Sequence, residues 1–473
     1  MPELPTALAI PARRLLALDA KLDILAQESR AWQRDSANAQ AQFALHRSQI
    51  DEVCQDLDAI RALISVELTA LRASATSAAP AWADIERLER RILVAMQIWD
   101  SYRAKWALRV EPGLRLTLDL IDDLAWLAYR PAHDRALASG QLDAERARLP
   151  PLVYTNPCWS PFARSRERGY ELDEASGELH LVDDFEPYLR CMPVPLIGIP
   201  WTLAAHLPDA VFVGHEVGHL VEDDLALDTE LRAVILTALA PTDDVHQQAW
   251  SRHWRSEVFA DLWGVLCCGP AYALTLAELL HGAPGAASEV QPDAQGRWSA
   301  YPTRALRLGV LVQALRALEF DADAQAMQAA WLAACPVHAM SDFEPDIEAV
   351  VQALMTSPLR AFASTKEGAA QPLSSVLSFS AAMQVQALAD AQRALSLRMP
   401  EAEDVRTLFA GMALAYLQAP AGFGPAKAQQ RFVGRLQTRR TQGVRAREFP
   451  QQRPDKATRG KANAAAFFGL LAR

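Results

Sequence analysis

Two histidines four residues apart, inside a run that apart from one glutamate is otherwise apolar or glycine, constrain this chain more than any other feature. The run is Phe212-Val213-Gly214-His215-Glu216-Val217-Gly218-His219-Leu220-Val221. On a helix, residues four apart stand one turn above each other on the same face. The flanks Phe212, Val213, Val217, Leu220 and Val221 are apolar and Gly214 and Gly218 are small, so the helix is expected to be buried around its polar triplet. Two imidazoles and a carboxylate in such surroundings are costly without a metal ion or hydrogen-bonding partners. His215 and His219 can converge on one metal, with Glu216 beside them as a general base.

A catalytic zinc site generally has three protein ligands and one open position. A metzincin continuation would need Gly at 222 and His or Asp at 225, where this chain has Glu222 and Leu225. Two candidates for the third ligand remain. Asp223 lies eight residues after His215, roughly on its face. Glu257, in Ser256-Glu257-Val258-Phe259-Ala260-Asp261, is the better one, because Glu257 and Asp261 are again one helical turn apart in an apolar stretch flanked by Trp254 and Trp263. One of these carboxylates can bind the metal while the other accepts the free N–H of a ligating histidine and fixes its tautomer. The run Glu222-Asp223-Asp224 reads as a solvated helix end.

HEVGH, with EVFAD beginning 38 positions after His219, resembles the gluzincin branch of the zincin metallopeptidases over roughly Val194 to Gly264. The resemblance implies zinc ligands His215, His219 and Glu257, a general base at Glu216, and support of a ligand by Asp261. It also implies a strand just before the metal helix on which an extended substrate pairs. Val194 to Ile199, punctuated by prolines, stands in the right place and is expected to be an edge strand, since proline cannot donate to a ladder. Stabilising an oxyanion needs a further donor. Tyr301 and Arg304, just before a helical run, and His253 and His281 are the candidates.

Elsewhere the pattern is mostly helical. Ile50, Val53, Leu57, Ile60 and Ile64 follow 3-4 spacing, as do Ile85, Leu88, Ile92, Met96 and Trp99 in the next segment, with Ser74 to Pro80 as a break. These stripes predict a helical hairpin or bundle, with a dimerising coiled coil as the alternative. Gly169 to Val182 reads as a β-hairpin around a Gly-containing turn. The expected fold class is mainly α with a small β-sheet: a helical N-terminal domain over 1–148, a zincin-like domain over 149–420, and a basic, weakly structured tail over 421–473. The tail stands out by charge. Ala426 to Arg473 holds twelve Lys and Arg against Glu448 and Asp455, a net of +10 in a chain whose total is −10. Folding back on the acidic body is the expected role of such a tail, ahead of binding nucleic acid.

Six cysteines without a CxxC pair, no secretory pattern at the start and no long apolar run make a cytoplasmic protein outside the membrane the expectation. The function expected is that of a zinc-dependent peptidase acting on a protein or peptide, with the N-terminal helices free to recruit a partner. The alternatives are a scaffold protein with a structural or degenerate zinc site, and a zinc amidase acting on a non-peptide substrate.

Overall fold

The computed structural model describes residues 9–37, 43–74, 82–142, 149–156, 162–164, 193–281, 301–334 and 342–441. The chain is mainly α with a small β-sheet, and its N-terminal part is helical. Numbering only helices longer than five residues, α1 (Ala9–Ala37), α2 (Arg47–Ser74) and α3 (Trp82–Ala107) pack on one another as a three-helix unit. Ile50, Val53, Leu57, Ile60, Ile64 and Leu68 of α2 and Ile85, Leu88, Ile92 and Trp99 of α3 are all buried in its core. Leu15, Leu18 and Leu22 of α1 complete it. The 3-4 stripes are therefore used within the chain, as a bundle.

Helix α4 (Pro112–Ser139) begins at an N-cap, Glu111, whose carboxylate accepts from the backbone N–H groups of Gly113 and Leu114. It ends at Gly140, whose φ of 72° suits glycine. Its buried residues, among them Leu118, Ile121, Leu124, Tyr129 and Ala136, join the larger core that surrounds the helix of His215 and His219, not the N-terminal one. Polar side chains tie the two units together. Tyr102 Oη donates to Val194 O (2.6 Å), Gln49 Nε2 to Pro150 O (2.9 Å), and Arg109 Nη2 to both Val153 O (2.8 Å) and Asp122 (2.7 Å).

A three-stranded sheet comes next. β1 (Leu152–Asn156) runs parallel to β3 (Leu196–Pro200), with Leu152 opposite Leu196, and β2 (Phe162–Arg164) runs antiparallel to β3, with Ala163 opposite Ile197. The order β1-β3-β2 makes β3 the central strand, which corrects the expectation of an edge at Val194 to Ile199. The prolines mislead because they stand at the strand's ends: Pro195 precedes it and Pro200 closes it. The residues between them keep their N–H groups for the ladder, and all five strand residues are buried. Among the described residues, the edge strand beside the helix of His215 and His219 is β2, which packs against that helix. The hairpin expected over Gly169 to Val182 lies outside the described residues.

From β3 a short helix and a 3-10 turn lead into α5 (Val213–Asp224), which carries the His215–His219 motif. Then follow α6 (Asp228–Ala238), α7 (Arg255–Cys268), α8 (Pro270–Leu280), α9 (Arg304–Ala317), α10 (Asp321–Ala334), α11 (Ile347–Thr356), α12 (Ala381–Leu395) and α13 (Val405–Gln418). The region read as a weakly structured tail continues with α14 (Ala428–Thr441), which packs on α12 and α13 with Phe432 and Leu436 buried. Ala428, Phe432 and Leu436 form a stripe at four-residue spacing that the basic composition hides. Arg431, Arg435 and Arg439 donate to backbone carbonyls of Ala426, of Glu401 and Ala402, and of Glu403. Those three charges serve the chain's own fold. The remainder of the tail is outside the described residues. No helix among them is long and apolar enough to cross a membrane.

Candidate metal centre

The site is built where α5 and α7 lie against each other, and glycines set how closely they approach. A Cβ on Gly218 would come within 2.7 Å of Ala260 Cα and 2.9 Å of Trp263 Cβ, and one on Gly214 within 3.1 Å of Cys267 Cβ. With only hydrogen there, the histidine face of α5 meets the carboxylate face of α7. His215 Nε2 stands 3.2 Å from His219 Nε2 and 3.3 Å from Glu257 Oε2, and His219 Nε2 stands 3.4 Å from Glu257 Oε1. Zinc bonds of about 2.0–2.2 Å to nitrogen and oxygen, arranged tetrahedrally, put neighbouring donors about 3.3–3.5 Å apart. The separation of the two imidazoles and that of each from its nearer Glu257 oxygen are close to that size.

The hydrogen bonds on the far side of each ring decide which way the near side faces. Asp261 Oδ1 is 2.9 Å from His215 Nδ1. Burial alone would raise the Asp261 pKa, but Arg307 and His215 hold it down to about 2, so this carboxylate can only accept. His215 must therefore donate from Nδ1, and in its neutral form Nε2 carries a lone pair aimed into the triangle. Ser256 Oγ lies 3.1 Å from His219 Nδ1 and can accept from it in the same way. Glu257 Oε2 is buried, and its near neighbour is His215 Nε2 at 3.3 Å. Two imidazoles and a carboxylate meeting across 3.2–3.4 Å are held together by positive charge, a proton on an imidazole or a cation among them. The pull for positive charge also appears in protonation. Burial lowers the His215 pKa, yet Asp261 and Glu257 raise it to about 10. Against the same burial penalty, His219 and His215 hold the Glu257 carboxyl well below its usual range. The residues present fit a zinc ion.

Asp261 is the hub behind the triangle. Its carboxylate accepts from Tyr272 Oη (2.7 Å) and from a two-pronged Arg307, Nε to Oδ2 at 2.8 Å and Nη2 to Oδ1 at 2.6 Å. Tyr272 reaches it because Gly264 leaves space: a Cβ there would stand 2.5 Å from the Tyr272 ring. Ser256, Tyr272 and Arg307 were not singled out from sequence. Ser256 precedes Glu257 and Arg307 follows Arg304 by one helical turn, but no motif marks either, and Tyr272 is placed only by the packing of α8 on α7.

The other sequence candidates separate clearly. Glu216, the residue after His215, is buried. Asp223 is buried too, but among the described residues the donor group that can share an ion comprises His215, His219 and Glu257. The acidic run is no solvated helix end: Glu222 is buried and pairs with Arg255 at 2.8 Å, and Asp224 accepts from Tyr129 Oη at 2.8 Å. Tyr301 lies with its ring 5.6 Å from the Arg307 guanidinium. Its phenol is raised to about 12, first by the charge of Glu257, then by burial and Glu216. Arg304 is exposed at the start of α9. His281 packs on Trp331 and bonds the Ala277 carbonyl, while His253 ends the turn that leads into α7.

A second donor group, His46, Asp119 and Asp122, is also buried. There the Arg109 guanidinium, 2.7 Å from Asp122 and 3.7 Å from Asp119, already supplies the positive charge. It belongs to the junction between the two helical units. Compared with protein-family models, with curated proteins and with solved structures, the chain gives no significant match.

Proposed function

We propose that this chain is a zinc-dependent peptidase of the gluzincin kind. The observation that carries the reading is the buried triangle of His215 Nε2, His219 Nε2 and the Glu257 carboxylate, with 3.2–3.4 Å between neighbours. Three protein ligands leave one position for reaction chemistry, as catalytic zinc sites do. Bound zinc supplies Lewis acidity, polarising a carbonyl and lowering the pKa of water at the site.

The chain's own residues do the rest. Glu216, one residue after the first ligand, takes the proton of the attacking water and returns it to the leaving nitrogen. Tyr301, the candidate donor whose phenol feels both Glu257 and Glu216, donates to the developing oxyanion. Asp261 and Ser256 keep the two imidazoles in their ligating orientation. The β2 edge, packed beside α5, offers main-chain hydrogen bonds to an extended peptide, which gives recognition with little sequence demand. The cytoplasm is the compartment we propose, consistent with the buried thiols of Cys54, Cys267 and Cys268. The N-terminal unit exposes Leu16, Ile24 and Val66, apolar surface suited to a protein partner.

The test is a zinc-loaded parent protein incubated with a proteome-derived peptide library, with Glu216→Gln alongside. Cleavage by the parent and none by the variant supports the reading. Equal cleavage by both removes Glu216 as the base, and no cleavage of any peptide by a protein holding zinc removes the peptidase assignment.

A further inference from the structure

Behind the ligand triangle the structure joins a surface aromatic ring to a metal ligand through a single side chain. Arg307 is nearly buried, at 11 % side-chain exposure, and its fork fits both oxygens of Asp261 at 2.8 and 2.6 Å. Asp261 in turn holds His215 Nδ1 at 2.9 Å. The Tyr301 ring covers the guanidinium at 5.6 Å, within the reach of a cation–π contact, and Tyr301 is itself 55 % exposed. We propose that Arg307 is a positioning residue that couples the exposed ring of Tyr301 to the ligand His215, so that the aromatic face of Tyr301 sets part of the affinity of the metal centre. This rests on the zinc reading above.

The physical basis is the shape of the guanidinium. A two-pronged bond to a carboxylate fixes the plane of the guanidinium as well as its position, and an aromatic ring packed over it screens the pair from water. Removing the ring lets solvent compete for the Arg307 donors. Asp261 then has a looser partner, and the Nδ1–H bond that aims His215 loosens with it. Lysine keeps the charge but has neither the fork nor the plane, so it does not replace Arg307.

Two variants of the exposed residue separate this from any role of the phenol. Tyr301→Phe removes the hydroxyl and keeps the ring, while Tyr301→Leu removes both, and neither disturbs a buried position. Zinc affinity is measured by competition with a chromophoric chelator on the full chain. The expected result is an affinity for Tyr301→Phe equal to the parent's, and one for Tyr301→Leu weaker by about two- to five-fold, the size of a cation–π contact. Arg307→Lys is expected to weaken zinc by about ten-fold or more, as loss of a supporting partner does. Equal affinities for the Phe and Leu variants, whether at the parent's level or below it, overturn the coupling while leaving the metal centre intact. A parent that takes up no zinc is a different result: it overturns the centre, and this inference falls with it.

Discussion

Replacing Gly218 by alanine perturbs the metal centre without touching a ligand. The new methyl group would stand 2.7 Å from Ala260 Cα and 2.9 Å from Trp263 Cβ, both fixed parts of α7 rather than ends of flexible chains. Ordinary contact begins near 3.4 Å, so α5 and α7 must part by about 0.7 Å. Because the histidines are on α5 and the carboxylate on α7, that movement stretches the 3.3 and 3.4 Å His–Glu257 separations to about 4 Å. A metal site tolerates about 0.2 Å in its ligand distances, so Glu257 is lost as a ligand or the backbone is strained to keep it. Overpacking costs about 1–3 kcal/mol, offset by about 1 kcal/mol of helix propensity gained over glycine. The net loss of stability is then about 0–2 kcal/mol, and zinc affinity is the sharper quantity to measure. We expect at least a ten-fold loss for Gly218→Ala and a smaller one for Gly214→Ala, whose closest contact is 3.1 Å. Parent-like zinc affinity in Gly218→Ala would refute the argument that these glycines set the geometry of the site.

Other perturbations read out separate parts of the account. Glu216→Gln should retain zinc while peptide hydrolysis falls by about 10²–10⁴-fold, measured as kcat on any cleaved peptide. Ile64→Ala, at a fully buried position of the N-terminal unit, should cost about 2–5 kcal/mol in denaturant unfolding of that unit and leave zinc content unchanged. Phe432→Ala should cost about 3–5 kcal/mol and lower the melting temperature, whereas a merely solvated tail would make it silent. In metal-free protein, Asp261 ionises near 2 when folded and at its ordinary value of 3.8 when unfolded. The unfolded chain thus takes up the proton first as pH falls. The stability that this carboxylate contributes, about 2 kcal/mol, is complete above about pH 4 and is lost as pH drops toward about 2. Acid unfolding of Asp261→Asn followed by circular dichroism should lack that component.

The two helices of the candidate site were legible because the signal is local: four-residue spacing within His215–His219 and within Glu257–Asp261 places side chains on one face whatever the rest of the chain does. The α2 and α3 stripes were legible for the same reason. What sequence left hidden depends on contacts between distant segments. Pro195 and Pro200 argued for an edge strand, yet they lie at the ends of β3 and leave its central ladder whole. Glu222, Asp223 and Asp224 read as solvent-facing because their partners, Arg255 and Tyr129 among them, come from other helices. Arg307 and Tyr272 reach Asp261 from α9 and α8, and no spacing rule joins them. Helix α14 was masked by composition: its arginines are counted easily, while its apolar stripe is only three residues long.

Zinc content of the purified chain, measured by elemental analysis after dialysis against metal-free buffer and repeated on Glu257→Ala, tests the central claim most directly. The account predicts about one zinc per parent chain, held by three protein ligands, and a clear loss of bound zinc in the variant. A parent without stoichiometric zinc, or a Glu257→Ala protein that holds it as tightly as the parent, would contradict it.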